Sequence, residues 1–302
     1  MDVLQGVIHH VVHPFVEAAL TAPSFLRLSV IIAFLCGSID SYFTLKMKVF
    51  VINLARSTER RDFIEKQLAA QNLTAEFIPA VDGRTLTATD LAAACDEEAL
   101  RPHPYWRTPG MVGCVLSHHA ICQRIVADNI PMALVLEDDA KLSHQLAAAL
   151  PELASKLVPG EIQLLFAQAN NDVLLQPEVQ LTGAKTQLCK PSSYGPLHSS
   201  LGYIISLDAA KLLAEKRLPM RVGADSWAAL QADTGLAQLR LTYPFLVEPA
   251  NFKSQIDYLP QTSLVGQLSE WVERHRVFPL HNILMWRRKQ MSQQRQKFRL
   301  VK

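Results

Sequence analysis

The sequence predicts an α/β protein whose mostly parallel sheet is flanked by helices. Short apolar segments such as residues 49–54 and 132–136 are rich in β-branched side chains, which is typical of buried strands. Segments with helical spacing of apolar residues follow them, and the two types alternate along the chain. The 302 residues are 49% apolar, enough for one large domain with appendages, and the net charge of +2 gives no indication of nucleic-acid binding.

Residues 1–46 differ in character from the rest and are predicted to be an N-terminal extension. Their uninterrupted apolar stretch, residues 30–35, is too short to span a bilayer, which takes about 20 residues. A strand-like segment follows Met47 directly, so the main domain is predicted to begin there. The extension is then either a weakly membrane-associating helix or an upstream segment of little function, and the second is favoured. Five cysteines without a CxxC pair indicate a reducing compartment and hence a cytoplasmic protein.

The first predicted strand, residues 49–54, leads through a polar turn into a predicted helix at 58–72. Strand, polar turn and helix together are typical of the start of a nucleotide-binding unit. Arg56, Arg60 and Arg61 follow the carboxyl end of the strand, where such folds bind ligands. They are therefore candidates for phosphate or base contacts, and a solvated helix start is the alternative.

A second strand is predicted at 75–81 and ends in a turn at Asp82 and Gly83. Asp82 lies at the same predicted sheet edge, where it is a candidate for a ribose contact. A helix at 89–100 and a loop at 101–110 rich in proline and aromatic residues follow. The next helix, 110–127, opens with glycines, which permit close approach of a ligand to free backbone N–H groups. Gly110, Ser117 and His118 are candidates there, although a lone helical histidine is more often structural.

The next strand, 132–136, delivers three consecutive carboxylates, Glu137, Asp138 and Asp139. Three adjacent anions repel one another, so a cation is expected to balance them. A divalent metal that carries a phosphorylated ligand is the natural candidate. Neighbouring residues of a strand point to opposite faces, so Glu137 and Asp139 are predicted to face the cleft, with Asp139 as the direct ligand.

Further strands are predicted at 162–167, 201–206 and 243–248, with a helix at 208–216. Between them, the loop at 221–227 leads into a short helix and carries Asp225, a candidate helix cap or general base. After Glu273 the chain has nine basic residues and no acidic one. With Trp271, Trp286, Phe298 and Leu300, this basic tail suits a peripheral contact with an anionic membrane; a solvated tail is the alternative.

Four segments resemble glycosyltransferase family 25, the lipooligosaccharide (LPS) biosynthesis glycosyltransferases. They are VINLARSTERR at 51–61, FIPAVDG at 77–83, GMVGCVLSH at 110–118 and VLEDD at 135–139. Weaker likeness continues through 203–210, Asp225 and 249–256, where the family's Pro-x-Asp pattern is replaced by Gly223-Ala224-Asp225. The resemblance covers residues 47–257, the predicted catalytic domain, and leaves 1–46 and the basic tail at 258–302 outside it.

The resemblance implies a GT-A-like (Rossmann-like) fold and a UDP-galactose or UDP-glucose donor. It also implies a lipooligosaccharide acceptor at the cytoplasmic face of the inner membrane, transfer with inversion, and Mn²⁺ or Mg²⁺ on Glu137, Asp138 and Asp139. Predicted donor contacts are Asn53, Leu54, Arg56, Arg60, Asp82, Gly83, Gly110 and Ser117. The predicted base is Asp225, with His118 second.

Two other functions use the same residues. A metal-dependent phosphohydrolase also places carboxylates at a strand end, but the usual alternating second aspartate is missing from this segment. A nucleotide-sugar-binding protein without turnover is the non-enzymatic alternative. Release of inorganic phosphate without an acceptor favours the first, and donor binding without transfer favours the second.

Overall fold

The computed structural model describes residues 47–250, 252, 268, 271–272, 275–286 and 298–301. The predicted extension at 1–46 and most of the basic tail lie outside the described residues. These residues contain thirteen strands: β1 Lys48–Asn53, β2 Glu76–Pro79, β3 Met132–Glu137, β4 Ala140–Leu142, β5 Glu161–Leu164, β6 Gln168–Ala169, β7 Val173–Gln180, β8 Gln187–Pro191, β9 Leu197–His198, β10 Gly202–Ser206, β11 Gln238–Tyr243, β12 Val247–Pro249 and β13 Phe298–Leu300. The helices are α1 Thr58–Ala70, α2 Ala88–Ala94, α3 Glu97–Leu100, α4 Pro109–Ala127, α5 Leu146–Lys156, α6 Leu207–Lys216 and α7 Trp227–Thr234, with 3₁₀ turns at Gly83–Thr85 and Pro104–Arg107. Residues 280–286 are also helical.

Nine strands form one sheet in the order β13-β7-β8-β11-β5-β10-β3-β1-β2. The α/β class is confirmed, but the prediction of a mostly parallel sheet is wrong, because the sheet is mixed. β1 pairs in parallel with β2 and β3, whereas β10 pairs antiparallel with both β3 and β5. Alternation of strands and helices along the sequence does not reveal this reversal, because a buried strand has the same apolar composition in either direction.

Helices cover both faces of the sheet, and the two-residue period of the strands divides their side chains between the two layers. Phe50 and Ile52 of β1 pack on one face against α4, α6 and α7. Val49 and Val51 pack on the other face against α1 and α5. The central strands are thus buried on both sides, which explains their continuous apolar sequence.

Several predicted elements differ in detail. The helix predicted at 89–100 is interrupted at Cys95, which forms a β-bridge with Met220. The strand predicted at 243–248 is instead the end of β11 and, after a break, the start of β12. The strand predicted at 162–167 ends at Leu164.

Candidate active site

The site lies at the edge of the sheet where β1, β2 and β3 end. Because these three strands are parallel, their carboxyl ends meet at one edge, and antiparallel β10 brings its amino end to the same place. A cavity of about 360 Å³ opens there. Its lining includes four carboxylates and three guanidinium groups: Asp82, Glu137, Asp138, Asp139, Arg56, Arg60 and Arg84. Leu54, Gly83, Gly110, Ser117 and His118 also line it, so eleven of the thirteen predicted site residues face one cavity.

The three consecutive carboxylates have different partners because β3 ends at Glu137 and the chain then turns. Glu137 Oε1 accepts a hydrogen bond of 2.6 Å from Ser200 Oγ. Asp138 accepts hydrogen bonds from Asn53 Nδ2 at 2.8 Å and from Arg60 Nη1 at 2.9 Å. Asp139 Oδ2 lies 3.1 Å from the same Arg60 nitrogen. The repulsion expected from the sequence is therefore partly offset by Arg60.

Arg60 is buried on α1 and projects toward the triplet while its guanidinium group lies 5.4 Å from the centre of the Phe252 ring. Asn53 is buried, donates to both Asp138 and the Ser57 carbonyl, and is not part of the cavity lining. It therefore orients Asp138 from behind. Arg61 stacks on Phe77 and pairs with Glu65, so it does not contribute to the cavity.

One carboxylate oxygen of Asp139 could still accept a ligand. Its Oδ1 is buried and has no hydrogen-bond partner in the described part of the chain. Burial, followed by the charge of Glu137, raises the pKa of Asp139 to about 6. A buried carboxylate oxygen that no hydrogen bond satisfies is a suitable ligand for a divalent cation.

A metal would need further ligands from outside the protein. No group of three or more His, Cys, Asp or Glu side chains converges as a metal cluster among the residues that the structure describes. Mg²⁺ is commonly held by one or two carboxylates together with substrate phosphates and water. The residues present therefore fit a metal that arrives with a diphosphate.

Glu137 and His118 form the second part of the site. His118 is buried, with Nδ1 2.9 Å from the Tyr203 hydroxyl and Nε2 3.5 Å from Glu137 Oε1. Burial lowers the pKa of His118 and keeps the ring neutral. Burial raises the pKa of Glu137, but hydrogen bonding to His118 and Ser200 and the charge of Arg60 outweigh it and lower the pKa overall. Glu137 is therefore an ionised carboxylate whose Oε1 is held by both Ser200 and His118.

Asp82 forms the opposite rim, where it pairs with Arg56 and with Arg84. Its Oδ1 also accepts a hydrogen bond from Arg84 N and caps the short 3₁₀ turn. The Arg84 hydrogen bond lowers the pKa of Asp82, although burial acts in the opposite direction. This rim carries two cations at the mouth of the cavity, which suits an anionic ligand.

The turn that carries Asp82 is docked on the start of α4. A Cβ atom added to Gly83 would lie 2.2 Å from the Pro109 carbonyl oxygen, and one added to Gly113 would lie 2.6 Å from that of Val81. Ser117 Oγ accepts a hydrogen bond of 2.9 Å from Val81 N. Gly83 and Ser117 therefore join two backbone segments beside the cavity, a role that the sequence did not indicate.

Asp225, the predicted base, is not part of the cavity lining. Its Oδ2 accepts a hydrogen bond of 2.9 Å from Ser199 N, and α7 begins after Ser226 without a side-chain cap. The sequence reasoning also missed Ser200, Tyr203, Arg84 and Gln168. No local motif marks Ser200, and the family likeness at 203–210 gave Tyr203 no role in the site. The antiparallel pairing of β10 with β3 is what brings both residues there.

The C-terminal surface is strongly apolar where it is described. Phe278 is 80% exposed and Trp286 is 64% exposed, and Trp271 is also exposed. Phe298 is instead buried against Tyr243 and Phe245, so its predicted membrane contact is wrong. Within the described residues, no helix is both long and apolar enough to span a bilayer.

The chain is similar in sequence to a group of known proteins. Residues 46–227 match the family model described as "Glycosyltransferase family 25 (LPS biosynthesis protein)". Human "Procollagen galactosyltransferase 2" is 26% identical over 235 residues, which cover 71% of this chain and 37% of the relative. An Aedes aegypti "Glycosyltransferase 25 family member" is 32% identical over 187 residues, with 59% and 30% covered.

A third relative differs in its described activity. The mouse "Inactive glycosyltransferase 25 family member 3" is 28% identical over 233 residues, which cover 71% of this chain and 39% of the relative. The chain spans about a third of the length of these curated relatives.

Proposed function

Since the chain belongs to glycosyltransferase family 25, we propose that it transfers galactose from UDP-galactose to a hydroxyl of a lipooligosaccharide, with UDP-glucose as the second donor to consider. One observation carries the proposal: Asp139, whose buried Oδ1 has no hydrogen-bond partner among the described residues, lines a cavity that also holds Arg56 and Arg60. The human relative is named as a galactosyltransferase, which favours galactose. The description of the family model favours the LPS-type acceptor.

The donor diphosphate is proposed to bind between the carboxylate turn at 137–139 and the arginines at the rim. Arg56 and Arg84, both at Asp82, supply positive charge for the phosphate oxygens, and Arg60 holds Asp138 and Asp139 in place. Asp139 would hold Mn²⁺ or Mg²⁺ with Asp138 assisting, which leaves Glu137, the third predicted ligand, for proton transfer. A bound metal of this kind neutralises the charge that develops on a leaving diphosphate.

Glu137 is proposed to accept the proton of the acceptor hydroxyl. It is a carboxylate in the cavity, and the hydrogen bond from Ser200 together with the adjacent His118 fixes its orientation. The two ring nitrogens of His118 face Tyr203 and Glu137, so His118 supports Glu137 rather than acting as a base itself. Direct attack by the activated hydroxyl would invert the anomeric configuration.

A peripheral membrane position is part of the same proposal. The exposed Phe278 and Trp286, together with the basic residues after Glu273, suit an interfacial contact with anionic lipid at the cytoplasmic face of the inner membrane. A lipid-linked acceptor would then be presented at the same surface.

The test is a transfer assay with purified protein, a panel of UDP-sugars and truncated lipooligosaccharides, with products identified by mass. We expect a mass increase of one hexose with UDP-galactose, dependent on added Mn²⁺ or Mg²⁺. The variant Glu137→Gln, which keeps a polar side chain of the same size, should lose about 100-fold or more of this activity and controls for contaminating transferases. Transfer to procollagen peptides alone would overturn the acceptor assignment, and release of inorganic phosphate without an acceptor would indicate a phosphohydrolase.

A donor-binding protein without turnover is the second candidate, and a specific observation favours it. The mouse relative is described as inactive although its match covers 71% of this chain. Binding of UDP-galactose in the calorimeter, with no product on any acceptor of the panel, would support this reading.

A further inference from the structure

The turn that joins β9 to β10 is held in an unusual backbone conformation beside the site. Ser199 has a φ of 94°, in the left-handed region that residues with a Cβ rarely occupy. Such a conformation persists only where neighbouring groups hold it, and it often occurs near functional sites.

Both backbone polar groups of Ser199 are bound by the segment at 225–227. Asp225 Oδ2 accepts a hydrogen bond of 2.9 Å from Ser199 N. The Trp227 indole Nε1 donates one of 3.0 Å to the Ser199 carbonyl. Trp227 is itself buried in the core and packs edge-on against Tyr203, so this support is anchored in the fold.

The held turn acts on the catalytic carboxylate through the next residue. Ser200 Oγ donates the 2.6 Å hydrogen bond to Glu137 Oε1, and Glu137 N donates to the Leu201 carbonyl at 2.9 Å. A change in the Ser199 conformation would therefore move the hydroxyl that orients Glu137. The connection from Asp225 to Glu137 consists of two hydrogen bonds and one strained residue.

We propose that Asp225 is a positioning residue: it holds Ser199 in the left-handed conformation that directs the Ser200 hydroxyl to Glu137. The inference deepens the proposed function and rests on it, since it presumes that Glu137 is the proton acceptor. It also replaces the predicted role of Asp225 as base, because Asp225 lies outside the cavity lining and its carboxylate is occupied by Ser199 N.

Four variants separate the two roles. Asp225→Asn keeps a side-chain oxygen that accepts from Ser199 N, so a positioning role predicts that kcat stays within about tenfold of the wild type. Asp225→Ala removes the acceptor and should lose about 100-fold, comparable with a misplacement of 1 Å in an active site. Adding Ser199→Gly to Asp225→Ala should restore most of the activity, because glycine adopts a positive φ without the steric clash of a Cβ. Adding Ser199→Ala is the matched control and should not restore it, since it removes the same hydroxyl but keeps the Cβ.

A base at position 225 predicts the opposite pattern. Asp225→Asn would then lose about 100-fold or more, as Asp225→Ala does, and Ser199→Gly would give no rescue. The pH profile of kcat/KM would also change in Asp225→Asn, whereas a positioning role leaves its shape as in the wild type. Either the severe Asp225→Asn loss or the missing rescue overturns the inference.

A second measurement does not need turnover. Amide hydrogen exchange of the segment 197–203 should accelerate in Asp225→Ala and return toward the wild-type rate when Ser199→Gly is added. If the wild type transfers no sugar but shows this exchange pattern, the proposed function fails while the structural link remains. Unchanged exchange in Asp225→Ala would overturn the link itself, and melting temperatures confirm that each variant is folded.

Discussion

At the residue scale, Asp139 places a buried negative charge in the site, and this charge is unfavourable for folding. A buried carboxylate with one unpartnered oxygen destabilises the folded protein, because burial disfavours its charged form. Asp138, its neighbour, is satisfied by Asn53 and Arg60. Among the described residues, Asp139 is therefore the aspartate of the two that keeps one carboxylate oxygen without a hydrogen bond, while its other oxygen pairs with Arg60.

The first prediction concerns Asp139→Asn. In EDTA at pH 7.5 the variant should be more stable than the wild type by about 1 to 3 kcal/mol, because the raised pKa reflects an unfavourable buried charge that the variant lacks. Its affinity for Mn²⁺ in the presence of UDP should fall at least about tenfold. Thermal unfolding measures the first effect and calorimetric titration of Mn²⁺ the second.

Asp208→Asn is the control for this prediction, since Asp208 lies on α6 and pairs only with the exposed Lys211 among the contacts described. It should change neither quantity. Wild-type Mn²⁺ affinity in Asp139→Asn would show that the metal, if one binds, is held elsewhere.

Whether a site residue could be predicted from the sequence depended on the direction of the strand beside it. Arg60 and the three carboxylates were predicted because each follows a strand whose parallel pairing places it at the sheet edge. Ser200 and Tyr203 were missed because they precede and belong to an antiparallel strand, whose direction the sequence does not reveal. Phe298 was misassigned because an apolar residue within a basic segment has the same appearance whether it is exposed or packed on the core.

At the element scale, the docking of the 3₁₀ turn on α4 sets the width of the cavity. The turn carries Asp82 and the helix carries His118, and the two approach as closely as backbone atoms allow at Gly83. This contact requires that residue 83 has no side chain, so it can be tested by adding the methyl group of an alanine there.

The second prediction is that Gly83→Ala lowers the free energy of unfolding by about 1 to 3 kcal/mol, because the new Cβ overlaps the Pro109 carbonyl and neither backbone can yield easily. The affinity for UDP-galactose should fall as Asp82 and Arg84 move. Urea unfolding and calorimetry measure these effects.

Gly195→Ala is the matched control, since the nearest atom to its added Cβ is Ser193 Oγ at 3.7 Å. It should behave as the wild type. An equally stable Gly83→Ala with unchanged donor affinity would show that the turn can move without affecting the site.

Elements were predicted best where composition and periodicity agree. β1, β3, α1 and α4 combine clear apolar patterns with turn residues at their ends, and the structure contains all four. α5 was not identified because Pro151 lies in its interior, where proline removes a helical hydrogen bond. β7 was missed for a related reason, because Pro177 stands at an irregularity in its pairing with β8.

At the scale of the whole molecule, the described surface has one region unlike the rest. Phe278, Leu280, Ile283, Met285 and Trp286 are all exposed within nine residues. Isolated exposed apolar residues need no explanation, but a dense group beside a basic sequence is typical of a contact surface.

The third prediction follows from this region. The double variant Phe278→Ser/Trp286→Ser should bind vesicles containing phosphatidylglycerol at least about tenfold more weakly than the wild type, because two large apolar side chains no longer enter the interface. Vesicle flotation measures the binding. Raised salt should weaken wild-type binding as well, since the basic residues contribute through screened charge.

Val158→Ser, which alters an exposed apolar residue before β5, is the control and should leave flotation unchanged. Wild-type flotation in the double variant, or equal binding to neutral phosphatidylcholine vesicles, would contradict the membrane contact.

The position of β3 also determines when the site can exist during folding. Its first neighbour, β1, precedes it in the chain, but its second, β10, is formed by residues 202–206, far downstream. Pairings between distant parts of a chain form slowly, since loop closure must precede the contacts that stabilise it. Until β10 docks, one edge of β3 is unpaired and apolar, and Glu137 lacks the hydrogen bond from Ser200. Nucleotide binding during refolding should therefore report completion of the sheet rather than formation of its first half.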